Sequence, residues 1–175
     1  MTVKLVKKAQ NGNKEALLQL ILAKQDDYYR LAWSYMKNEH DALDVMEDMI
    51  VILYEKIHTL QKRESFYSWS KTILVRCCYD TFRKRKRMEF LDDKELDKFA
   101  TSHHAFELTD TQIDLDHLLA KLTPQQAEVI RLKYLHDLDL KTIGSITNTS
   151  IGTVKSRIYY GLKKLHHLYR GEQDG

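Results

Sequence analysis

The side chains with the widest chemical reach in this chain are cations and hydroxyls, and they gather at residues 150–165, SIGTVKSRIYYGLKKL. Lys155, Arg157, Lys163 and Lys164 are pure donors, while Ser150, Thr153, Ser156 and Tyr160 both donate and accept. No carboxylate stands among them. The chemistry on offer is therefore binding, to an anion or to a polar edge. In a helical winding Val154, Ile158, Leu162 and Leu165 recur at spacings that predict one buried face. The opposite face then centres on Gly152, Thr153, Ser156, Tyr160 and Lys163, with Lys155 and Arg157 on its flanks. A solvated basic helix would look the same, so the rest of the chain has to decide.

A second run of cations, Arg83-Lys84-Arg85-Lys86-Arg87, has the same character. Its two readings are phosphate contact, joined by Arg76 one face away, and a solvated helix end whose cations complement the dipole. Asp80 lies among these bases and is placed to pair with a nearby arginine. Between residues 59 and 69 polar groups meet aromatics: Gln61, Lys62, Arg63 and Ser65 precede Phe66, Tyr67 and Trp69. Carboxylates concentrate instead at Asp44, Glu47, Asp48 and Glu55, beside or opposite an apolar stripe.

Other chemistries find no support. Carboxylate clusters of catalytic type, nucleophile–base pairs and phosphate-binding glycine loops are missing, which argues against an enzyme. Cys77 and Cys78 are neighbours, with α-carbons about 3.8 Å apart where a disulfide wants roughly 4.4 to 6.8 Å, so free thiols are expected. The pairs His103-His104 and His166-His167 lack metal-ligand spacing, so neither metal nor cofactor is expected. No window holds eighteen apolar residues in a row, and the N-terminus has no signal segment. A cytoplasmic protein without membrane insertion is the expectation.

The elements that position these groups read as helices. The 175 residues include six glycines and one proline, too few turn formers for many strands. Residues 14–37 carry Ala16, Leu17, Leu20, Ile21, Tyr28, Leu31, Ala32, Tyr35 and Met36 at helical spacing, with a break near residues 25–27. Residues 41–57 form an amphipathic stripe of Ala42, Val45, Met46, Met49, Ile50, Leu53 and Ile57. A third segment runs from Phe66 through Ile73, Leu74 and Cys77 into the basic run, and Trp69, aligned with Ile73 and Cys77, is expected in the core. Residues 88–112 read as an acidic linker with one short helix near residues 92–99.

Charge divides the same way. Residues 1–87 hold 17 Lys plus Arg against 11 Asp plus Glu, residues 88–116 hold 2 against 9, and residues 117–175 hold 9 against 5. Two basic blocks flank an acidic one, a pattern suited to two modules facing a polyanion.

The second block opens near Ile113 with Leu115, Leu118, Leu119 and Leu122. Thr123, Pro124 and Gln126 then predict a capping box at the start of a helix reaching about His136. Leu140, Ile143, Gly144 and Thr147 share one face of a short helix, Asn148 suits a left-handed turn, and Ser150 can cap the next helix. Such spacing is that of a helix-turn-helix, whose second helix enters the DNA major groove.

With both blocks in view, the chain resembles the extracytoplasmic-function (ECF) group of bacterial sigma factors, in the sigma-70 family. LTPQQAEVIRLKYLHDLDLKTIGSITNTSIGTVKSRIYYGLKKL is similar to the family's fourth region, including GTVKSR at residues 152–157. DALDVMEDMIVILYEKI at 41–57 and FYSWSKTILVRCCYDTFRKRKR at 66–87 are similar to the core-binding and promoter-melting parts of its second region. The resemblance implies an all-α fold of two small domains: residues 1–87, a linker over 88–112, and residues 113–175 as a four-helix domain containing the helix-turn-helix.

It further implies an alternative sigma factor that docks on core RNA polymerase, through the clamp helices of the largest subunit and the flap of the second-largest. Asp44, Glu47, Asp48 and Glu55 would serve the clamp contact. Ser150, Gly152, Thr153, Lys155, Ser156, Arg157, Tyr160, Lys163 and Lys164 would read an upstream duplex element. Gln61, Lys62, Arg63 and Ser65 would capture an unstacked base of single-stranded promoter, with Arg76 and Arg83 to Arg87 on phosphates. An anti-sigma factor is the expected inhibitor; the family's linker passes through polymerase channels used by nucleic acid, so the resemblance allows the acidic linker here to mimic nucleic acid, with simple solubility as the other reading of its charge. The alternative is a stand-alone helix-turn-helix regulator, which leaves the acidic helix at 41–57 without a role. Five departures from the family pattern stand out: Ser70 where an apolar residue is common, Arg76 for Asn, Glu47 for Gln, and Gly144 and Thr147 for Ala and Leu. The last pair is expected to loosen the helix-turn-helix.

Overall fold

The structure, a computed structural model, describes residues 1–91 and 110–173, with side chains described within 1–91 and 115–171. Every regular element among the described residues is helical. The chain divides into two compact units, Met1–His104 and Ala105–Gly175.

The first unit holds α1 (Thr2–Gln10), α2 (Lys14–Ala23), α3 (Gln25–Met36), α4 (Glu39–Lys56) and α5 (Phe66–Leu91). Two short 3-10 turns, Ile57–Thr59 and Arg63–Ser65, lead from α4 into α5. Local chemistry sets most boundaries. Asn13 accepts from the Ala16 amide to start α2, Asn38 accepts from the Asp41 amide to start α4, and Lys37 closes α3 at a left-handed φ of 63°. Helix α1 was not foreseen, although its buried Val6 and Ala9 sit three apart. The break between α2 and α3 falls at Lys24, one residue ahead of its expected place.

Helices α3, α4 and α5 pack on one another around Tyr28, Leu31, Met49, Leu53, Phe66 and Leu74, all fully buried. Removing one such side chain from water contributes about 1.5 to 3 kcal/mol. Ser70 sits inside this core. The Tyr28 phenol and the Ser70 hydroxyl are 2.7 Å apart, and Ser70 donates onward to the Tyr67 carbonyl at 3.0 Å. The departure from an apolar residue at 70 thus has a physical reason: it is the partner that lets a tyrosine be buried whole. Trp69 departs from expectation, being only half-buried, because the core position at the start of α5 is filled by Phe66. Ile50 also turns outward, leaving Ala42, Val45, Met46, Met49 and Leu53 as the buried stripe of α4.

The second unit comprises α6 (Asp110–Ala120), α7 (Pro124–Ile130), a π-helical turn Arg131–Leu135, α8 (Leu140–Thr147) and α9 (Ile151–Gln173). The capping box forms as expected, with Gln126 N donating to Thr123 Oγ1 at 3.2 Å and Thr123 N to Gln126 Oε1 at 3.3 Å. The helix read through to His136 instead widens after Ile130, where the His136 amide reaches back to Arg131 O. That change of winding keeps Leu132 buried and turns Tyr134 and Leu135 outward. Both α7 and α8 pack on α9 around Leu119, Val129, Ile143 and Val154.

Ends of the expected linker are helical: α5 continues through Leu91 and α6 begins at Asp110. The short helix expected near residues 92–99 lies outside the described residues.

Candidate nucleic-acid interface

The turn between α8 and α9 decides what α9 presents. Asn148 adopts φ 54° and ψ 45°, the left-handed conformation its side chain tolerates. Thr149 N then donates to Gly144 O at 2.9 Å, and Thr147 Oγ1 lies 2.9 Å from Thr149 Oγ1 while bonding Ile143 O at 2.8 Å. Gly144 does not loosen this corner, as the sequence had suggested. A Cβ there would stand 2.8 Å from the Thr149 carbonyl oxygen, so the glycine is what allows the turn to close onto α8. Thr147 likewise tightens the turn through its hydroxyl.

Ser150 caps α9 by accepting from the Thr153 amide at 3.1 Å. The buried side runs Val154, Ile158, Gly161, with Leu165 half-buried; Leu162 lies exposed instead. The register shift has a cause at Gly161, whose missing Cβ would lie 2.6 Å from Ile130 Cδ1, so α7 presses directly on the α9 backbone. On the opposite side Gly152, Lys155, Ser156, Tyr160, Lys163 and Lys164 are exposed, while Thr153 and Arg157 are half-buried. The hydroxyls of Ser150, Thr153 and Ser156 already bond within the helix, Ser156 to Gly152 O at 3.1 Å. None of the four cations has a carboxylate partner among the described residues. Gly152 leaves an open gap, since an added Cβ would meet only Ser150 Oγ at 3.8 Å. An exposed helix start with free cations and a bare backbone can approach a phosphate or a base edge closely.

In the first unit the cations of residues 83–87 are not equivalent. Arg83 pairs with Asp80 on its own helix. Arg85 reaches across to Asp41 at 2.6 Å, where Asn38 Nδ2 also donates to the carboxylate at 2.6 Å. Burial pushes the Asp41 carboxyl up, but the bonds from Arg85 and Asn38 outweigh it and hold it below its ordinary value. Lys84, Lys86, Arg87 and Arg76 are exposed and have no ion pair among the described residues. Before α5, Gln61 and Lys62 are exposed while Arg63 and Ser65 are half-buried. Arg63 Nε donates to Gln10 Oε1 at 2.8 Å, a partner no local pattern could reveal because it lies 53 residues away.

The acidic set of α4 does not form one patch. At about 100° per residue, Asp44, Asp48 and Glu55 share a narrow sector, whereas Glu47 falls among Leu43, Ile50, Val51 and Tyr54. All four of those apolar side chains are exposed. This outward apolar sector is the feature sequence reading missed, because the buried stripe absorbed Ile50 and the acids drew the attention. His40 Nε2 approaches Asp44 at 3.7 Å, and Lys14 Nζ sits 5.3 Å from the Tyr54 ring centroid. Burial, reinforced by Asp48 and Asp80, pushes the Cys77 thiol up to about 11, and burial takes Cys78 to about 12. Among the described residues no cluster of three His, Cys, Asp or Glu is arranged to hold a metal, and no helix is long and apolar enough to cross a membrane.

An all-helical chain with a helix-turn-helix unit and a second unit bearing a basic helix end is built as a two-part transcription factor. Comparison with known proteins makes the class specific. The family model for sigma-70 region 2 matches residues 20–88, and that for sigma-70 region 4 matches residues 112–165. The RNA polymerase sigma factor SigV of Bacillus subtilis (strain 168) is 35% identical over 156 residues, covering 89% of this chain and 92% of that one. The ECF RNA polymerase sigma factor SigW of the same organism is 26% identical over 182 residues, covering 97% of each. Among solved structures, CnrH, in complex with the cytosolic domain of CnrY, superposes with a TM-score of 0.67 at 21% identity, covering 97% of each chain. The sigma factor RpoE of Bartonella quintana, in complex with the anti-sigma factor NepR, gives 0.66 at 24%, covering 87% of this chain and 95% of that one. The chain belongs to the sigma-70 family, in its extracytoplasmic-function group. It is an alternative sigma factor, a subunit that directs RNA polymerase in transcription initiation and binds DNA through region 4.

Proposed function

We propose that the chain docks on core polymerase through α4, reads an upstream promoter element with α9, and helps open the start region with residues 57–65 and the end of α5. Clamp docking uses the exposed apolar sector of α4 together with Glu47, flanked by Asp44, Asp48 and Glu55 for basic partners. The second unit reaches the flap of the second-largest subunit. Duplex contact centres on Gly152, Lys155, Arg157 and Lys163, with Ser150, Thr153 and Ser156 setting the helix start and Tyr160 and Lys164 at the edges. Capture of an unstacked base falls to Gln61, Lys62, Arg63 and Ser65, and phosphate neutralisation to Arg76, Lys84, Lys86 and Arg87. Arg83 and Arg85 order that arm through their carboxylates. An anti-sigma factor holds the protein inactive in the cytoplasm, and the chain itself performs no catalysis.

The observation that carries this reading is the exposed face of α9, whose cations lack carboxylate partners among the described residues, at the start of the second helix of a helix-turn-helix. Its test is co-purification with bacterial core polymerase followed by run-off transcription on a pool of genomic promoters. Polymerase binding with a new set of start sites is expected. Specific duplex binding without polymerase binding would assign the chain to stand-alone regulators instead.

A further inference from the structure

The segment that joins α4 to α5 has little to hold it from within. Its internal bonds are the turn contacts Leu60 N to Ile57 O at 3.2 Å and Ser65 N to Lys62 O at 3.0 Å, with Thr59 Oγ1 on Lys56 O at 2.7 Å. Gln61 and Lys62 at its tip are exposed. The groups that fix it come from the other end of the unit. The Gln10 amide nitrogen, at the last residue of α1, donates to Ile57 O at 3.1 Å and to Leu60 O at 2.8 Å. Its amide oxygen accepts from Arg63 Nε at 2.8 Å. One side chain therefore saturates both donors and one acceptor on three points of the segment, on either side of Gln61 and Lys62. Buried Val6 and Ala9 anchor α1 beneath it, and the Tyr67 hydroxyl donates to Leu20 O at 3.2 Å where α5 begins.

We infer that Gln10 is a positioning residue for base capture: it holds residues 57–65 in the shape that receives an unstacked promoter base. Residues 1–19 lie outside the match to sigma-70 region 2, so this assigns a role to a helix beyond the matched span. The inference rests on the reading of residues 61–65 as the capture segment. Physically, a pocket that must repay unstacking gains most from groups already in place, since each rotamer and each loop conformation frozen on binding subtracts from the gain. Gln10 removes that freedom before the strand arrives. It also turns Arg63 so that its Nε is engaged and its terminal nitrogens stay available.

The test uses the full chain assembled with core polymerase, and two single-stranded probes of the non-template strand. One is intact and the other lacks the base at the captured position, found by scanning abasic sites with the unmodified chain. Gln10→Ala should weaken binding of the intact strand about tenfold and leave the abasic strand unchanged, so that preference for the base collapses. Affinity for core polymerase should stay as it was. Gln10→Glu, which keeps the acceptor for Arg63 but sets a carboxylate against two carbonyls, should lie between the two and covers the case in which the alanine variant fails to fold. Combined with Arg63→Ala, Gln10→Ala should add little further loss, since both act on one bond. Full base preference in Gln10→Ala would overturn the inference, as would equal losses on both probes or weakened polymerase binding, which mark a general structural role. If the unmodified chain itself shows no abasic-sensitive position, the capture reading fails and the Gln10 inference falls with it.

Discussion

Two glycines eight residues apart make opposite predictions on alanine substitution, and together they test the account of the α8–α9 corner. At Gly144 an added Cβ falls 2.8 Å from a backbone oxygen, that of Thr149, and 3.9 Å from Val154 Cγ2. The oxygen belongs to the turn that Thr149 N closes onto Gly144 O, so it cannot retreat without opening that bond. Alanine gains about 1 kcal/mol of helix propensity, against overpacking of about 1 to 3 kcal/mol and a strained turn hydrogen bond of about 1 kcal/mol. The net expectation for Gly144→Ala is a loss of about 1 to 3 kcal/mol. At Gly152 nothing closer than 3.8 Å opposes a Cβ, so Gly152→Ala should gain about 0.5 to 1 kcal/mol while filling the gap proposed to face DNA. Hydrogen exchange read by mass spectrometry on peptides from residues 140–160 of the full chain reports this corner alone. Gly144→Ala should speed exchange roughly tenfold, since about 1.4 kcal/mol is a factor of ten, and Gly152→Ala should slow it severalfold while reducing transcription. Slower exchange in Gly144→Ala would refute the close approach. Unimpaired transcription in Gly152→Ala would refute the use of the gap.

Replacing Arg157 with Ala should cost about 1 to 3 kcal/mol in binding a matched duplex promoter, measured by fluorescence anisotropy with the polymerase complex; an unchanged affinity would remove it from the interface. Neutralising Lys84 and Lys86 together should lower the slope of log affinity against log salt by about 1.8, whereas Arg83→Gln should change it little because that charge is already paired. For Asp41, whose carboxyl is held below its unfolded value, the unfolded state takes up the proton first. Its contribution is therefore full above the unfolded carboxylate range, is lost as pH falls through the depressed folded value, and disappears in Asp41→Asn, a difference read by urea titration between pH 5 and 3. Cys77 and Cys78, with thiols raised by burial, should resist a soluble disulfide reagent at pH 8 in the folded chain and react at once in denaturant.

Local signals carried most of the fold. The Thr123–Gln126 box, the left-handed Asn148 and the Ser150 cap each depend on neighbours within three residues, and each stands where the sequence placed it. Periodicity found α4 and α5 but assigned single positions less well. Trp69 and Ile50 fit the apolar spacing, yet Phe66 and Met49 occupy the core, and only packing geometry separates such candidates. Long-range partners were illegible: Asp41 for Arg85, Gln10 for Arg63 and Tyr28 for Ser70 are separated by 44, 53 and 42 residues, and nothing in local pattern joins them. The departure at Gly144 looked like a weakness, and that at Ser70 had no local reason, until the carbonyl and the phenol beside them were seen.

Helix α5 runs unbroken for 26 residues, from the core at Phe66 to the exposed Leu91. At about 1.5 Å per residue, the step from Ser65 to Lys84–Arg87 spans on the order of 30 Å, close to nine base steps of duplex at about 3.4 Å each. The helix is in effect a ruler, graduated in base pairs. Under the roles proposed above, the distance between the place where a base leaves the stack and the place where backbone charge is neutralised is set by the length of one secondary-structure element. A deletion of the four residues 79–82, beyond the last buried side chain at Cys78, would leave the core of the unit in place and move the two marks out of step, at the cost of the Arg85–Asp41 pair.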